Sequence, residues 1–134
     1  MKDLIKKLIK EYFDKEPELI KSDKFNLLIQ NLGATETPGK KNSYTFTLGP
    51  TKIYFKPTSK KNVIELDLIE TDKEMRGKGS AKKALNMFLD EIDALKLSVI
   101  LSIVPRDKTT SAEGLKNFYL DFGFNAINDF QMIY

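Results

Sequence analysis

The stretch Arg76-Gly77-Lys78-Gly79-Ser80-Ala81 lies between a strand pattern and a helix pattern, and it constrains the fold more than any other segment. Upstream, Val63-Ile64-Glu65-Leu66-Asp67-Leu68-Ile69 places Ile64, Leu66 and Leu68 on one face at a period of two, the mark of a strand with one buried face. Downstream, Ala81, Ala84, Leu85, Phe88, Leu89, Ile92 and Leu95 recur every three or four residues, as one face of an amphipathic helix does. The two glycines between these patterns let the backbone turn sharply and leave several amide N–H groups pointing outward together. The positive end of the helix adds to those amides, so a strand–turn–helix unit of this kind suits an anion such as a pyrophosphate. A Walker phosphate loop is excluded by the short glycine-to-lysine spacing and by the lack of Ser or Thr after the lysine. A Rossmann fingerprint fails for want of a third glycine and of a repeating strand series. On these residues alone, a plain strand-to-helix turn is the competing reading.

Arg76-x-x-Gly79-x-Ala81 resembles the acetyl-CoA turn, Arg/Gln-x-x-Gly-x-Gly/Ala, of the GNAT superfamily of N-acetyltransferases. One strand and one turn later, Leu115-Lys116-Asn117-Phe118-Tyr119-Leu120-Asp121-Phe122-Gly123-Phe124 is similar to that family's helix ending in an aromatic–Tyr step and a Gly-Phe pair. The match covers about residues 43 to 134 and leaves the first forty uncovered. The resemblance implies an α+β domain: a mixed, mostly antiparallel sheet, splayed parallel central strands at 63–70 and 97–104, helices on both faces and a helical N-terminal extension. It also implies acetyl-CoA as co-substrate, with no metal. Backbone groups of Leu68, Ile69 and Glu70 would pair with the pantetheine arm like an added strand. The amides from Arg76 through Gly77, Lys78, Gly79, Ser80 and Ala81 would hold the pyrophosphate, with Lys78, Lys82 or Lys83 near the outer phosphates. Tyr119, four residues before Gly123, matches the tyrosine that in many of these enzymes faces the CoA sulfur, which makes it the candidate acid.

The sequence departs from the family pattern in three places. Where many GNAT enzymes carry a cofactor-contacting Asn, seven residues before the tyrosine, this chain has Ala112, with Ser111 as a possible substitute. The connection from Val104 through Pro105 to Thr109 is longer than the common one, and no N-terminal strand is visible before the helices. That connection, as far as Tyr119, also resembles the one in small phage-encoded GNAT proteins, some of which acetylate a host or nuclease protein.

At 134 residues the chain reads as one domain, with a helical part and loop at 1–42 and a core at 43–134. A domain of this size buries roughly two-thirds of its unfolded surface. No apolar run is long enough for a bilayer span, and the Lys-rich amphipathic start does not read as a signal peptide, so cytoplasm is the expected location. With no cysteine, disulfides, thiolate catalysis and Cys-based zinc sites are excluded; with no histidine, the usual general base goes too. The net charge of +3 is uneven: residues 1–62 carry 13 Lys against 7 acids, residues 63–134 carry 9 Lys/Arg against 12 acids. A basic face around Lys52, Lys56, Lys60 and Lys61 would suit an acidic partner, or be a solvated surface. Nucleic acid is the weaker partner, because no interleaved aromatic–basic motif of an RNA-binding fold is present.

The remaining pattern fills in the order of elements. Leu4, Ile5, Leu8, Ile9 and Tyr12 predict one helix; Leu19, Ile20, Phe25, Leu27, Leu28 and Leu32 predict a second after a break at Glu16-Pro17. Gly33 to Asn42 is a loop, and Tyr44–Leu48 and Lys52–Lys56 flank Gly49-Pro50-Thr51 as a hairpin. Thr110-Ser111-Ala112-Glu113 offers a capping box for the helix that follows, and residues 125–134 predict two short closing strands.

Acetyl transfer from a thioester to an amine needs a free lone pair, and a lysine with a reference pKa near 10.4 spends about 4–5 kcal/mol to supply one at neutral pH. Lacking Cys and His as covalent carriers, the chain would transfer directly in a ternary complex. Glu65 and Asp67, on the strand face opposite Ile64, and Glu70 at the strand end are the candidate bases; each is equally readable as a solvated carboxylate. The acceptor would be a primary amine of a protein or small molecule. The alternative is a catalytically inactive GNAT-fold module that binds CoA or another protein.

Overall fold

A seven-stranded sheet orders the chain in a computed structural model that describes residues 18–104 and 111–134. The elements are α1 (Asp23–Leu32), β1 (Thr35–Glu36), β2 (Tyr44–Leu48), β3 (Thr51–Pro57), β4 (Val63–Thr71), α2 (Ser80–Leu95), β5 (Ser98–Ser102), α3 (Ala112–Asp121), β6 (Asn125–Ala126) and β7 (Gln131–Ile133). A single turn of 3₁₀-helix, Lys73–Met75, precedes the glycine turn. Strand order is β1-β2-β3-β4-β5-β7-β6, and every neighbouring pair is antiparallel except β4–β5, which is parallel. Parallel neighbours need a crossover, and α2 provides it.

The aromatic side chains show how the helices seat. Phe25 of α1 meets the Tyr44 and Phe55 rings at 5.4 and 6.0 Å, and Phe55 meets Phe88 of α2 at 5.3 Å. Both helices therefore cover the same face of β2, β3 and β4. The predicted stripe of α2 is nearly the observed one: Ala84, Leu85, Phe88, Leu89 and Ile92 are buried. The third helix lies beside α2, with its end residues Asp121 and Phe122 sharing a surface recess with Asn86, Asp90 and Asp93. The first-helix stripe and the break at Glu16-Pro17 lie outside the described residues. None of the described helices is long and apolar enough to cross a membrane.

Local chemistry corrects three boundaries. α1 begins at Asp23, not near Leu19, because the Ser22 side chain accepts from the Phe25 N–H at 3.2 Å while the Ile20 N–H donates to the Thr58 carbonyl at 2.8 Å. Leu27, expected on the apolar stripe, is exposed. α3 is capped by Ser111 and not by Thr110, since the Ser111 hydroxyl accepts from the Gly114 N–H at 3.0 Å. The predicted 97–104 strand is regular only over Ser98–Ser102.

The hairpin is tighter than the sequence suggested: Leu48 faces Thr51, which leaves a two-residue turn of Gly49-Pro50 with Gly49 at φ 56°. The first central position of such turns often needs positive φ, and glycine adopts it without strain. Within the loop 33–42, Thr35 and Glu36 pair with Thr45 and Tyr44 as a short edge strand.

Candidate functional site

The central strand β4 holds the feature on which the site is built. Tyr54 faces Leu68 and Phe55 faces Leu66, so Asp67 is an extra residue, a β-bulge in the middle of the strand. A bulge shifts the alternation of side chains by one. Ile64 and Leu66 are buried in the core as expected, but Leu68 is not on their face; after the bulge Ile69 packs inward, opposite Ile53. The predicted period-two run through Leu68 is thus broken at Asp67.

At the same point the parallel pair comes apart. The β4–β5 ladder runs from Val63–Ser98 to Leu66–Leu101 and stops. β4 continues to Thr71 with β3 on its other side, while β5 turns toward β7, with Ser102 facing Gln131 and the Ile103 N–H donating to the Phe130 carbonyl at 2.6 Å. Asp67, Leu68, Ile69 and Glu70 therefore lie in the part of β4 that has left β5. The two predicted central strands are parallel and splayed.

The far end of β4 is pinned. The buried Thr51 hydroxyl and that of Thr71 are 2.8 Å apart, and the Asp72 N–H donates to the Pro50 carbonyl at 2.9 Å. The Arg76 Nε donates to the Thr71 carbonyl at 3.3 Å, tying the turn back to the strand. Gly77 and Gly79 both have φ of 80°, where a side chain is strained, and a Cβ on either would meet open space. Gly79 is the N-cap of α2, and its carbonyl accepts the first helical bond, from the Lys83 N–H at 3.1 Å. The intervening N–H groups of Ser80, Ala81 and Lys82 belong to the first helical turn, and the glycine cap offers no side chain to accept from them. No acidic residue stands in that first turn, whereas Lys82 and Lys83 do, a placement unfavourable to the helix dipole unless an anion is present.

Around this turn is a recess of about 500 Å³, lined by Arg76, Gly77, Gly79, Ser80, Ala81 and Lys82 with Thr71, Met75 and Phe118. Ala81, counted with the core stripe in the sequence, instead lines this recess. Beside Thr71 and Met75, Phe118 lines the recess, although the turn motif singles out none of the three. It shares the α3 stripe of Leu115, Phe118, Tyr119 and Phe122, and spacing alone does not say which member faces the turn.

Tyr119 faces inward. It is 8% exposed, and its ring packs on Phe118 at 5.3 Å and Phe124 at 5.4 Å. Burial pushes its phenol up from 10.0 to about 12. The folded state therefore holds the neutral phenol through pH 10–12, while the unfolded chain ionises from about pH 10. Stability from this group is fully present below pH 10 and is lost as pH rises through 12, a loss of roughly 2–3 kcal/mol over two pH units. Urea denaturation at pH 9 and pH 11.5 should show Tyr119→Phe losing less stability than the unaltered protein between the two. Tyr134 is likewise raised to about 12, by desolvation and then by its hydrogen bonds to Asp93 at 2.7 and 2.8 Å, and is common to both proteins in that comparison.

The other candidate carboxylates differ in setting. Glu65 lies where β4 and β5 are still paired and forms an ion pair with Lys56 at 3.0 Å. Asp67 sits at the bulge, where the strands part; Glu70 is exposed and faces Lys52 across the strands. The Ser111 hydroxyl is engaged as the α3 cap.

A strand broken by a bulge, parted from its parallel neighbour and followed by a glycine turn into a helix is the architecture of the GNAT acetyltransferases, and the chain has that fold. Its structure is similar to that of the anti-CRISPR protein AcrVA5, with a TM-score of 0.59 and 20% identity over 69% of this chain and 98% of that one. It is also similar to the ribosomal-protein-S18-alanine N-acetyltransferase from Escherichia coli, with a TM-score of 0.54 and 12% identity over 87% and 90% of the two chains. A third similar structure is a GNAT-family protein from Bacteroides thetaiotaomicron, at 0.51 and 15% over 98% and 80%. No protein-family profile and no curated protein sequence matches the chain.

Proposed function

We propose that the protein transfers an acetyl group from acetyl-CoA directly to a primary amine. The observation that carries this reading is the parting of β4 from β5 at Asp67, next to a glycine turn whose helix N–H groups have no capping side chain. The open turn, the first-turn lysines and the lack of any Cβ at Gly77 and Gly79 fit a diphosphate, which would accept from the N–H groups of Ser80, Ala81 and Lys82. The edge of β4 from Leu68 to Glu70 would pair with the amides of a pantetheine arm.

Acceptance of the amine's proton would fall to Asp67, the residue at which β4 leaves β5, whereas Glu65 is engaged with Lys56. The neutral amine then attacks the thioester carbonyl, the C–N bond forms and the C–S bond breaks. Tyr119, held neutral by burial, would donate a hydrogen bond to the departing sulfur. With a pKa of about 12 it would remain a hydrogen-bond donor there, and the second proton, which the attacking nitrogen sheds as the amide forms, would pass to the thiolate. Ser111, whose oxygen caps α3, would donate its hydroxyl hydrogen to the cofactor. Acetyl-CoA is a cytoplasmic metabolite, and the cytoplasm is the matching location.

Acetyl-CoA should raise the melting temperature, and a panel of amines should release free CoA. Tyr119→Phe should lower turnover with acetyl-CoA affinity unchanged; equal turnover would remove Tyr119 from the reaction. Stabilisation by acetyl-CoA with no CoA release from any amine would point to the second reading, a binding module, which the engagement of Glu65 and the Ala112 departure favour.

A further inference from the structure

We infer, building on the acetyl-transfer reading, that Thr71 is a further binding residue for the cofactor, its hydroxyl donating to the diphosphate, and that the buried Thr51 hydroxyl sets the direction of that hydrogen. Thr71 ends β4 opposite Thr51 at the start of β3, and the two hydroxyl oxygens are 2.8 Å apart. Thr71 also lines the recess around the glycine turn. The other polar side chains of that lining, Arg76, Ser80 and Lys82, come from the turn and α2, so Thr71 is the polar group that the sheet contributes. Leu68, Ile69 and Glu70 do not line the recess, which puts Thr71 at the anionic end of the cofactor and not along its arm.

Burial decides which hydroxyl donates. Thr51 is fully buried, and Thr71 is the partner its hydroxyl has among the described residues. A hydroxyl carries one hydrogen and two acceptor lone pairs. If Thr71 donated to Thr51, the Thr51 hydrogen would be buried with no acceptor, and an orphaned buried donor is rarer than an under-used acceptor. Thr51 therefore donates and Thr71 accepts, which leaves the Thr71 hydrogen for the recess. An oxygen that already accepts a hydrogen bond is a stronger donor through its own hydrogen, and an anion gains most from such a donor.

The donor is also fixed in place beforehand. The Asp72 N–H donates to the Pro50 carbonyl at 2.9 Å, so the tip of the β2–β3 hairpin grips the chain just after Thr71. The Thr71 carbonyl accepts from Arg76 Nε at 3.3 Å, and the Met75 N–H donates to the Asp72 carbonyl at 2.8 Å. Thr71 thus stands between the hairpin and the turn, sharing one recess with Ser80, Ala81 and Lys82. A diphosphate there would be held from the strand and from the helix at once, with little conformational freedom lost on binding.

Isothermal titration of acetyl-CoA over a double-mutant cycle tests this. Thr71→Val should weaken binding about tenfold, the worth of one hydrogen bond to a charged group, and Thr71→Ser should restore it. Thr51→Val should weaken binding about threefold by itself and not at all beside Thr71→Val, because it acts through Thr71. The double variant leaves no buried donor unmet, so its melting temperature should stay near that of the unaltered protein. ADP, which carries a diphosphate without the pantetheine arm, should lose affinity for Thr71→Val in the same proportion; S-acetylpantetheine should not. Unchanged acetyl-CoA affinity in Thr71→Val, additive effects of the two substitutions, or a loss confined to S-acetylpantetheine would overturn the inference. Those outcomes leave the acetyl-transfer reading standing, since acetyl-CoA binding and CoA release by the unaltered protein judge it. An unaltered protein that binds no acetyl-CoA would sink both.

Discussion

Gly79→Val should weaken acetyl-CoA binding by at least about a hundredfold, equivalent to roughly 2.7 kcal/mol, while the protein stays folded. At φ 80° a β-branched residue is an outlier, and a left-handed conformation costs an L-residue about 1–2 kcal/mol. The space around the position is open, so no packing clash adds to this strain. A domain with about 5–15 kcal/mol of net stability tolerates a loss of that size. Binding is affected differently. If valine keeps the turn, its side chain covers the approach to the Ser80 and Ala81 N–H groups; if the backbone relaxes to negative φ, those groups swing away from a common point. Two hydrogen bonds to a charged ligand, at roughly 1.5–3 kcal/mol each, account for the size of the effect. Isothermal titration with acetyl-CoA, paired with a melting curve, tests it. Affinity within threefold of the unaltered protein would place the diphosphate elsewhere.

Phe88→Ala should remove about 3–5 kcal/mol of stability, the largest loss expected from any substitution considered. Phe88 is fully buried, and its ring meets Phe55 at 5.3 Å, in the same aromatic group that seats α1 through Phe25. Truncation leaves a void between α2 and the sheet that the strands are too constrained to fill. Because α2 carries the glycine turn at its N-terminus, loosening it also loosens the turn, so acetyl-CoA should rescue part of the loss at saturating concentration. Urea denaturation with and without acetyl-CoA measures both. A loss below 1 kcal/mol would mean that the packing around Phe88 is not as described.

These two positions were visible in the sequence for different reasons. Gly79 stood between two contrasting periodicities, and only a turn reconciles a period of two with one of 3.6. Phe88 belonged to a helical stripe long enough to read without help from the rest of the chain. Legibility ended where one element's geometry is set by another. The bulge at Asp67 is a property of the β3–β4 register, and within β4 alone Ile64, Leu66 and Leu68 look equivalent. Phe118 and Tyr119 are adjacent aromatic residues on one helix, so only docking decides that the first lines the recess and the second is buried. Leu19 and Ile20 carried the apolar signal of a helix but lie ahead of the Ser22 cap, where the Ile20 N–H bonds to the distant Thr58 carbonyl. Phe130 read as part of a closing strand, yet the Asn128 side chain fixes a turn there and leaves the ring outside.

The parallel ladder between β4 and β5 consists of four residue pairs, Val63–Ser98 to Leu66–Leu101, and it is the seam between two half-sheets. One half, β1 to β4, is a continuous meander; the other, β5 with β7 and β6, is a small three-stranded flap. α2 links the two halves end to end, from the turn after β4 to the start of β5. Anything wedged between the open arms would brace the whole sheet, and slower hydrogen exchange along β5 and β7, remote from the wedge, would register its arrival.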